Sequence, residues 1–290
     1  MTIHELDTPA LLIDLERVER NLARMADYCR QRNLRLRPHT KTHKIPELAR
    51  KQVEYGAWGV TVAKVGEAEV MAEGGLDNIL IAYPVVSRAK AERVAALARF
   101  RAVSVALDSA EAAQALSAAA SAAGVRLDIL VEIDTGFHRC GLPVLGEAAN
   151  LGALVELARE VEGLPGLRFA GIMFFPGHLG KVAAAQQGAA MREQNLAVEK
   201  ALGALEQAGV GCEVVSGGST PTGFHSHLVA RLTEIRPGTY IFNDRNTVGV
   251  GAAEPEDCAL SVLVTVVSTA VEGQLVVDGG SKTFSSDGHV

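Results

Sequence analysis

An α/β fold, a TIM (β/α)8 barrel followed by the start of a β-rich C-terminal domain, is what the sequence predicts. Three observations lead there: short β-branched runs, helical patterns between them, and a length of 290 residues that suits one large domain. Brief apolar runs bounded by turn residues read as strands buried on both faces, and their alternation with helices argues for βα units and a parallel sheet. A doubly wound open sheet would more often show about five or six strands and a glycine fingerprint after the first.

PALLID opens the chain as a strand, and LERVERNLARMADYCRQRN follows as a helix. The barrel strands are then LRLRPH, WGVTVA, NILIAY, AVSVAL, RLDILVEI, LRFAGIMFF, CEVVS and LTEIRP, which makes eight. Helices fall between them at SRAKAERVAALARF, SAEAAQALSAAASAAG, LGALVELAREVEG and AMREQNLAVEKALGALEQAG, several closing on Gly as a helix end should. The alanine-rich stretch Ala110 to Gly124 reads as one of these helices, not as low complexity. From about Thr247 the helices cease: ALSVLVTVVSTAV and QLVVDGG read as strands, and DGGSKTFSSDGHV as a loop-like end, too few strands for a separate stable domain. The expected division is a barrel over residues 14–245 and an incomplete β domain made of 1–13 plus 246–290. Either the chain is a fragment, or those strands pack on the barrel or on another subunit.

Composition narrows the function. A net charge of -6 offers no basic footprint for nucleic acid. Cys29, Cys140, Cys212 and Cys258 are widely spaced and form no C-x-x-C pair, so neither a disulfide framework nor a cysteine zinc cage is expected, and a reducing cytoplasm is the simpler setting. The start MTIHELDTPALL carries acids where a signal peptide needs bases, and no run of apolar residues is long enough to span a membrane.

In such a barrel the chemistry sits where strands end. The first barrel strand runs into RPHTKTHK, which is open to three readings: a solvated basic loop, a metal site on His39 and His43, or a lysine held for covalent chemistry. Pro38 argues for extended chain and against the helical i, i+4 histidine pairing a metal would want. A lysine becomes a nucleophile when burial or a nearby cation lowers its pKa. Lys41 shares the strand's alternation with His39 and is the candidate, whereas Lys44 at KIPEL is expected to be a solvated charge at a helix start.

The last two strands run into SGGSTPTG and RPGTY, glycine-hydroxyl loops at the positions where TIM barrels commonly bind phosphate. The alternative is that both are merely tight turns. The fifth strand ends in EIDTGFHRCG, where Arg139 either pairs with Asp134 or serves the site. The sixth ends in FFPGHLG, whose His178 is expected to be structural.

Together RPHTKTHK, IDTGFHRCG, SGGSTPT, RPGTY and VVDGGSKTFSSD resemble the D-threonine aldolase and D-serine dehydratase family, pyridoxal-phosphate enzymes of the alanine racemase fold type. The resemblance implies that Lys41 is the lysine to which pyridoxal 5'-phosphate attaches and that Arg139 lies near the cofactor ring. Gly218, Ser219, Thr220, Gly238 and Thr239 would form the phosphate cradle, and Arg236 falls where alanine racemases set an arginine against the pyridine nitrogen. It also implies a lyase acting on D-3-hydroxy amino acids, by retro-aldol cleavage of the D-threonine type to glycine and an aldehyde, or by dehydration of D-serine or 3-hydroxyaspartate. A racemase and a non-catalytic cofactor-binding barrel are the further alternatives.

Two departures stand out. The family commonly carries an aromatic hydroxyl where this sequence has Phe174 and Phe175. Its divalent metal, Mn or Zn, is held by a His-x-Cys or His-x-Asp pair in the β domain, and no such pair follows SSDGHV, where His289 lacks the right partner. The site expected here therefore has no metal ligands, and the partners expected are a D-amino acid substrate and a second copy in a homodimer.

Overall fold

The computed structural model describes residues 2–281, 283 and 284; the whole SSDGHV motif, His289 included, lies outside them. In chain order its elements are β1 (Ala10–Ile13), α1 (Leu15–Gln31), β2 (Arg35–Leu36), α2 (Pro46–Glu54), β3 (Val60–Val62), α3 (Val65–Glu73) and β4 (Ile79–Ile81). There follow α4 (Arg88–Leu97), β5 (Val103–Leu107), α5 (Ala110–Ala123), β6 (Leu127–Asp134), β7 (Leu142–Pro143), α6 (Leu151–Gly163) and β8 (Leu167–Met173). The last are α7 (Ala184–Gln207), β9 (Val214–Gly217), β10 (Glu234–Ile235), α8 (Arg245–Gly249), β11 (Leu260–Leu263), β12 (Val266–Ser268) and β13 (Val276–Val277).

All eight predicted barrel strands form and pair in parallel in the order β2, β10, β9, β8, β6, β5, β4, β3. The ring closes between β2 and β3. A parallel bridge joins His39 to Thr61, the Trp58 N–H donates to the Leu36 carbonyl at 2.7 Å, and the Thr61 N–H donates to the Pro38 carbonyl at 2.8 Å. Hydrogen bonds from the N–H groups of Arg35, Arg37 and His39 to the carbonyls of Thr233, Ile235 and Pro237 hold β2 to β10, while Pro38, with no N–H to give, meets β3 only by accepting through its carbonyl.

Helix boundaries follow local chemistry. Asp14 caps α1 by accepting the Arg17 N–H at 3.0 Å, and the buried face Val18, Leu22, Met25, Ala26 and Cys29 keeps helical spacing. Ser109 caps α5, whose small buried side chains Ala112, Ala113, Ala119 and Ala120 let it sit close to its neighbours, and Gly124 ends it in the left-handed region at φ 66°.

The barrel strands alternate between two faces. Ile79, Ile81, Val105, Leu107, Ile129, Val131, Ile172, Val215 and Ile235 face the helices in one large apolar core. Leu80, Ala106, Leu130, Ala170 and Met173 fill the lumen as a second, small cluster. The rest of the lumen is polar. Arg37, Ser216, Glu234 and Arg236 are all buried there and joined to one another. Beyond the barrel, β1 pairs antiparallel with β11, and β12 pairs with β13, so the opening strand and the late strands meet as two small antiparallel ribbons.

Candidate active site

A cavity of about 500 Å³ opens at the C-terminal ends of the strands, and Lys41, Arg139, Gly218, Ser219, Thr220, Arg236, Gly238 and Thr239 all line it. Residues more than a hundred positions apart are thus brought to one wall-to-wall site by the closure of the ring.

Lys41 reaches the cavity by a route the alternation of the strand does not supply. It sits in a single 3-10 turn, Thr40–Thr42, capped by His39, whose Nδ1 accepts the Lys41 N–H at 3.4 Å. The expectation of an extended Lys41 is therefore corrected: chain direction changes after Pro38, and the turn aims the amine. Lys41 is solvent-exposed and lines the cavity, with its Nζ 5.3 Å from the Phe175 ring centroid. Partial burial, reinforced by Arg139 and Arg236, lowers the pKa of the amine. His39, hemmed in by burial and by the same cations, is driven down to about 2 and stays neutral at any ordinary pH.

Arg139 does not pair with Asp134. That carboxylate is taken up by the backbone N–H groups of Gly136, Phe137 and His138 and by the His138 ring at 2.9 Å. Arg139 instead approaches Glu132 at 3.6 Å and lies 5.0 Å from the Phe175 ring centroid. Phe175 thus meets both Lys41 and Arg139, a dry aromatic surface that attracts cations through its ring face. Glu132 is buried with one carboxylate oxygen unpartnered, and burial raises its pKa.

Arg236 is buried and held by donating to the Ser216 hydroxyl and, at 2.7 Å, to the Phe174 carbonyl. Burial presses it down to about 10, against the pull of Glu234 and Glu132, so it remains a cation at neutral pH.

The two glycine-hydroxyl loops are tied together by Thr220, whose hydroxyl accepts the N–H groups of Gly238 at 3.2 Å and Tyr240 at 3.1 Å. Gly218 adopts φ 82°, and a Cβ on Gly238 would lie 2.9 Å from the Thr42 hydroxyl and 3.1 Å from the His39 carbonyl. The cradle therefore packs directly on the Lys41 turn. Within it the Ser219 hydroxyl is buried without a partner, and the N–H groups of Ser219 and Thr220 donate to no acceptor among the described residues. Unspent donors converging at a glycine-rich turn are what a phosphate group requires.

His178 does not line this cavity. Its ring stacks on Phe137 and contacts Gln194 at 3.3 Å, in keeping with a structural role. Lys64, Tyr83 and Lys90 do line it and were not anticipated from sequence. The signal was available for Lys64 and Tyr83, each of which stands two residues beyond the end of a strand. Among the described residues no group of three or more His, Cys, Asp or Glu side chains is placed to hold a metal ion, and no helix is long and apolar enough to cross a membrane.

Comparison with known proteins bears on this arrangement. The family model described as alanine racemase, N-terminal domain, matches residues 13–246. A D-threo-3-hydroxyaspartate dehydratase of Delftia sp. (strain HT23) is 36% identical over 289 residues, covering 99% of this chain and 74% of that protein. A 3-hydroxy-D-aspartate aldolase of Paracoccus denitrificans (strain Pd 1222) is 34% identical over 293 residues, with 98% and 74% covered. The crystal structure of a D-threonine aldolase from Filomicrobium marinum superimposes with a TM-score of 0.89 at 37% identity, over 98% of this chain and 76% of that one.

Proposed function

The chain belongs to the alanine racemase N-terminal domain family, and from that premise we propose that it is a pyridoxal-phosphate-dependent lyase acting on D-3-hydroxy amino acids. The relatives named aldolase and dehydratase support the reaction class. The observation that carries the cofactor reading is the cradle: an unpartnered buried Ser219 hydroxyl and free N–H groups, across one cavity from an amine whose proton affinity is lowered.

In this reading Ser219, Thr220, Gly238 and Thr239 hold the phosphate, with Gly218 shaping the turn, and Arg139 and Arg236 flank the ring. When bound, the cofactor supplies an electron sink for the bond broken at the substrate α-carbon. The chain's own residues do the rest. Lys41 presents a nucleophilic amine, favoured by its surroundings as the neutral form. Phe175 and Met173 give the cavity an apolar wall beside that amine, and Arg139 offers a guanidinium to an anionic substrate group.

Retro-aldol cleavage of the D-threonine type is the first reading and dehydration of D-serine or 3-hydroxyaspartate the second; the 36% identity to a dehydratase favours keeping it. The cofactor-bearing unit is the barrel of residues 14–245, working in a cytoplasmic homodimer.

The test is to add pyridoxal phosphate to the purified chain, reduce with borohydride and map the modified peptide, then supply D-threonine, D-serine and D-3-hydroxyaspartate. Modification confined to Lys41 is expected, with either an aldehyde plus glycine or a 2-oxo acid plus ammonia as products. Retention by Lys41→Ala of the wild type's borohydride-fixed cofactor would sink the proposal.

A further inference from the structure

The second lysine of RPHTKTHK is not the free helix-start charge its position suggests. Lys44 lies before α2, in the left-handed region at φ 57°, and its Nζ is 3.2 Å from Glu67 Oε1. The side chain of Lys44 is 56% exposed but that of Glu67 only 8%. The other oxygen of Glu67 accepts the Ala63 N–H at 2.7 Å, so one buried carboxylate ties the loop after β3 to the loop after β2. The Lys41 turn is closed on the same side. The Thr40 carbonyl accepts the N–H groups of His43 at 3.1 Å and Lys44 at 2.7 Å, and the Thr40 hydroxyl donates to the Thr61 carbonyl at 3.2 Å.

We propose that Lys44 and Glu67 are a positioning pair for Lys41: the ion pair anchors the turn that aims the amine, and the Glu67 carboxylate sets the electrostatic balance around it. A left-handed non-glycine residue costs conformational energy, and it persists where surrounding contacts over-determine it, as the Thr40 carbonyl and Glu67 do here. The cations acting on the Lys41 amine are Arg139 beyond β6 and Arg236 beyond β10; the neutral His39 sits on its own turn, and Lys64, Tyr83 and Lys90 line the same cavity. Glu67 on α3 is the carboxylate that favours the charged amine, opposing the two guanidiniums. The pair thus holds Lys41 in the cavity and limits how far its proton affinity falls. The inference deepens the lyase reading, on which the importance of Lys41 rests.

It can be tested without cofactor or turnover. Competitive acylation of the full chain by an isotope-coded anhydride, read by mass spectrometry across neutral to alkaline pH, gives the ionisation midpoint of Lys41. Glu67→Gln keeps the size and an acceptor for the Ala63 N–H but removes the charge, and should move the midpoint to lower pH. Lys44→Met removes a neighbouring cation and breaks the tie that anchors the turn, and should move it to higher pH, toward an ordinary lysine. Lys44→Arg should restore the wild-type curve. Glu67→Gln and Lys44→Met both break the tie and should also raise the limiting acylation rate of Lys41 at alkaline pH: opposite midpoints with an unchanged limiting rate would mean charge alone, a shared midpoint displacement would mean a merely structural contact, and either result overturns the proposal. If Glu67→Gln gives no folded chain, the two Lys44 variants decide: an upward displacement in the first, cancelled in the second, is required. The reagent needs no pyridoxal phosphate, so a chain that failed to take up the cofactor would refute the lyase reading while leaving this measurement intact.

Discussion

Glu234 is the residue whose charge the barrel lumen can least spare. It is fully buried, accepts the Arg37 Nε–H on both oxygens at 3.0 and 3.1 Å, and accepts the Ser216 hydroxyl at 2.7 Å. Glu234→Gln retains shape and an acceptor but leaves Arg37 and Arg236, both buried, with their shared counter-charge gone. Removing one partner from a buried ion pair costs about 3–5 kcal/mol, because the remaining charge is left without compensation. At roughly 2–4 °C per kcal/mol for a domain of this size, the melting temperature should fall by about 6–20 °C. Differential scanning calorimetry on both chains measures it, and the double variant Arg37→Met, Glu234→Gln, which restores the network's wild-type net charge and leaves no unpaired Arg37, should recover about half of the loss or more. A loss under about 1 kcal/mol, the value of a surface pair, would refute the claim that this network is dry and electrostatically closed.

Other perturbations test the site. Lys41→Met should stabilise the chain at neutral pH, since folding lowers the lysine's proton affinity. Below the folded midpoint the wild type bears the full penalty, and the gain should fade as pH rises toward the ordinary lysine value; urea midpoints at several pH values check the sign. Ser219→Ala removes an unpartnered buried hydroxyl and should leave the cofactor-free chain equally stable or up to about 1 kcal/mol more so, while shrinking the rise in melting temperature that pyridoxal phosphate produces. Gly238→Ala forces a methyl against the Thr42 hydroxyl and the His39 carbonyl. It should cost about 1–3 kcal/mol by denaturant titration and slow the labelling of Lys41.

Much of the barrel was legible because its strands are buried on both sides: VTV, ILI and VSVAL have few alternatives once helices flank them. Two alternations were harder to read. In β6 the lumen face carries Asp128, Leu130 and Glu132, and in β10 it carries Glu234, so charges lie where a core pattern predicts apolar residues. Their partners stand far off in sequence, and only closure of the ring shows that Glu234 answers Arg37. The site loops were legible as motifs, since glycines and hydroxyls cluster at two strand ends. The Lys41 turn was not, because a 3-10 turn capped by a histidine leaves no periodic trace. Nor was the true partner of Arg139: Asp134 is nearer in sequence, yet its Asx-type turn had already spent that carboxylate on three backbone N–H groups.

The lumen chain from Arg37 through Glu234 and Ser216 to Arg236 begins at Asn78, by the floor of the barrel, and ends at the cavity. Its members are bound as a set, so the sequence around them occupies a narrow ridge. In a combinatorial library randomised at positions 37, 216, 234 and 236, functional clones should be nearly absent among single changes yet present among matched combinations, such as apolar pairs at 37 and 234. The barrel's floor and the cavity above it are then not independent territories for selection: a change tolerated at one end depends on what already stands at the other.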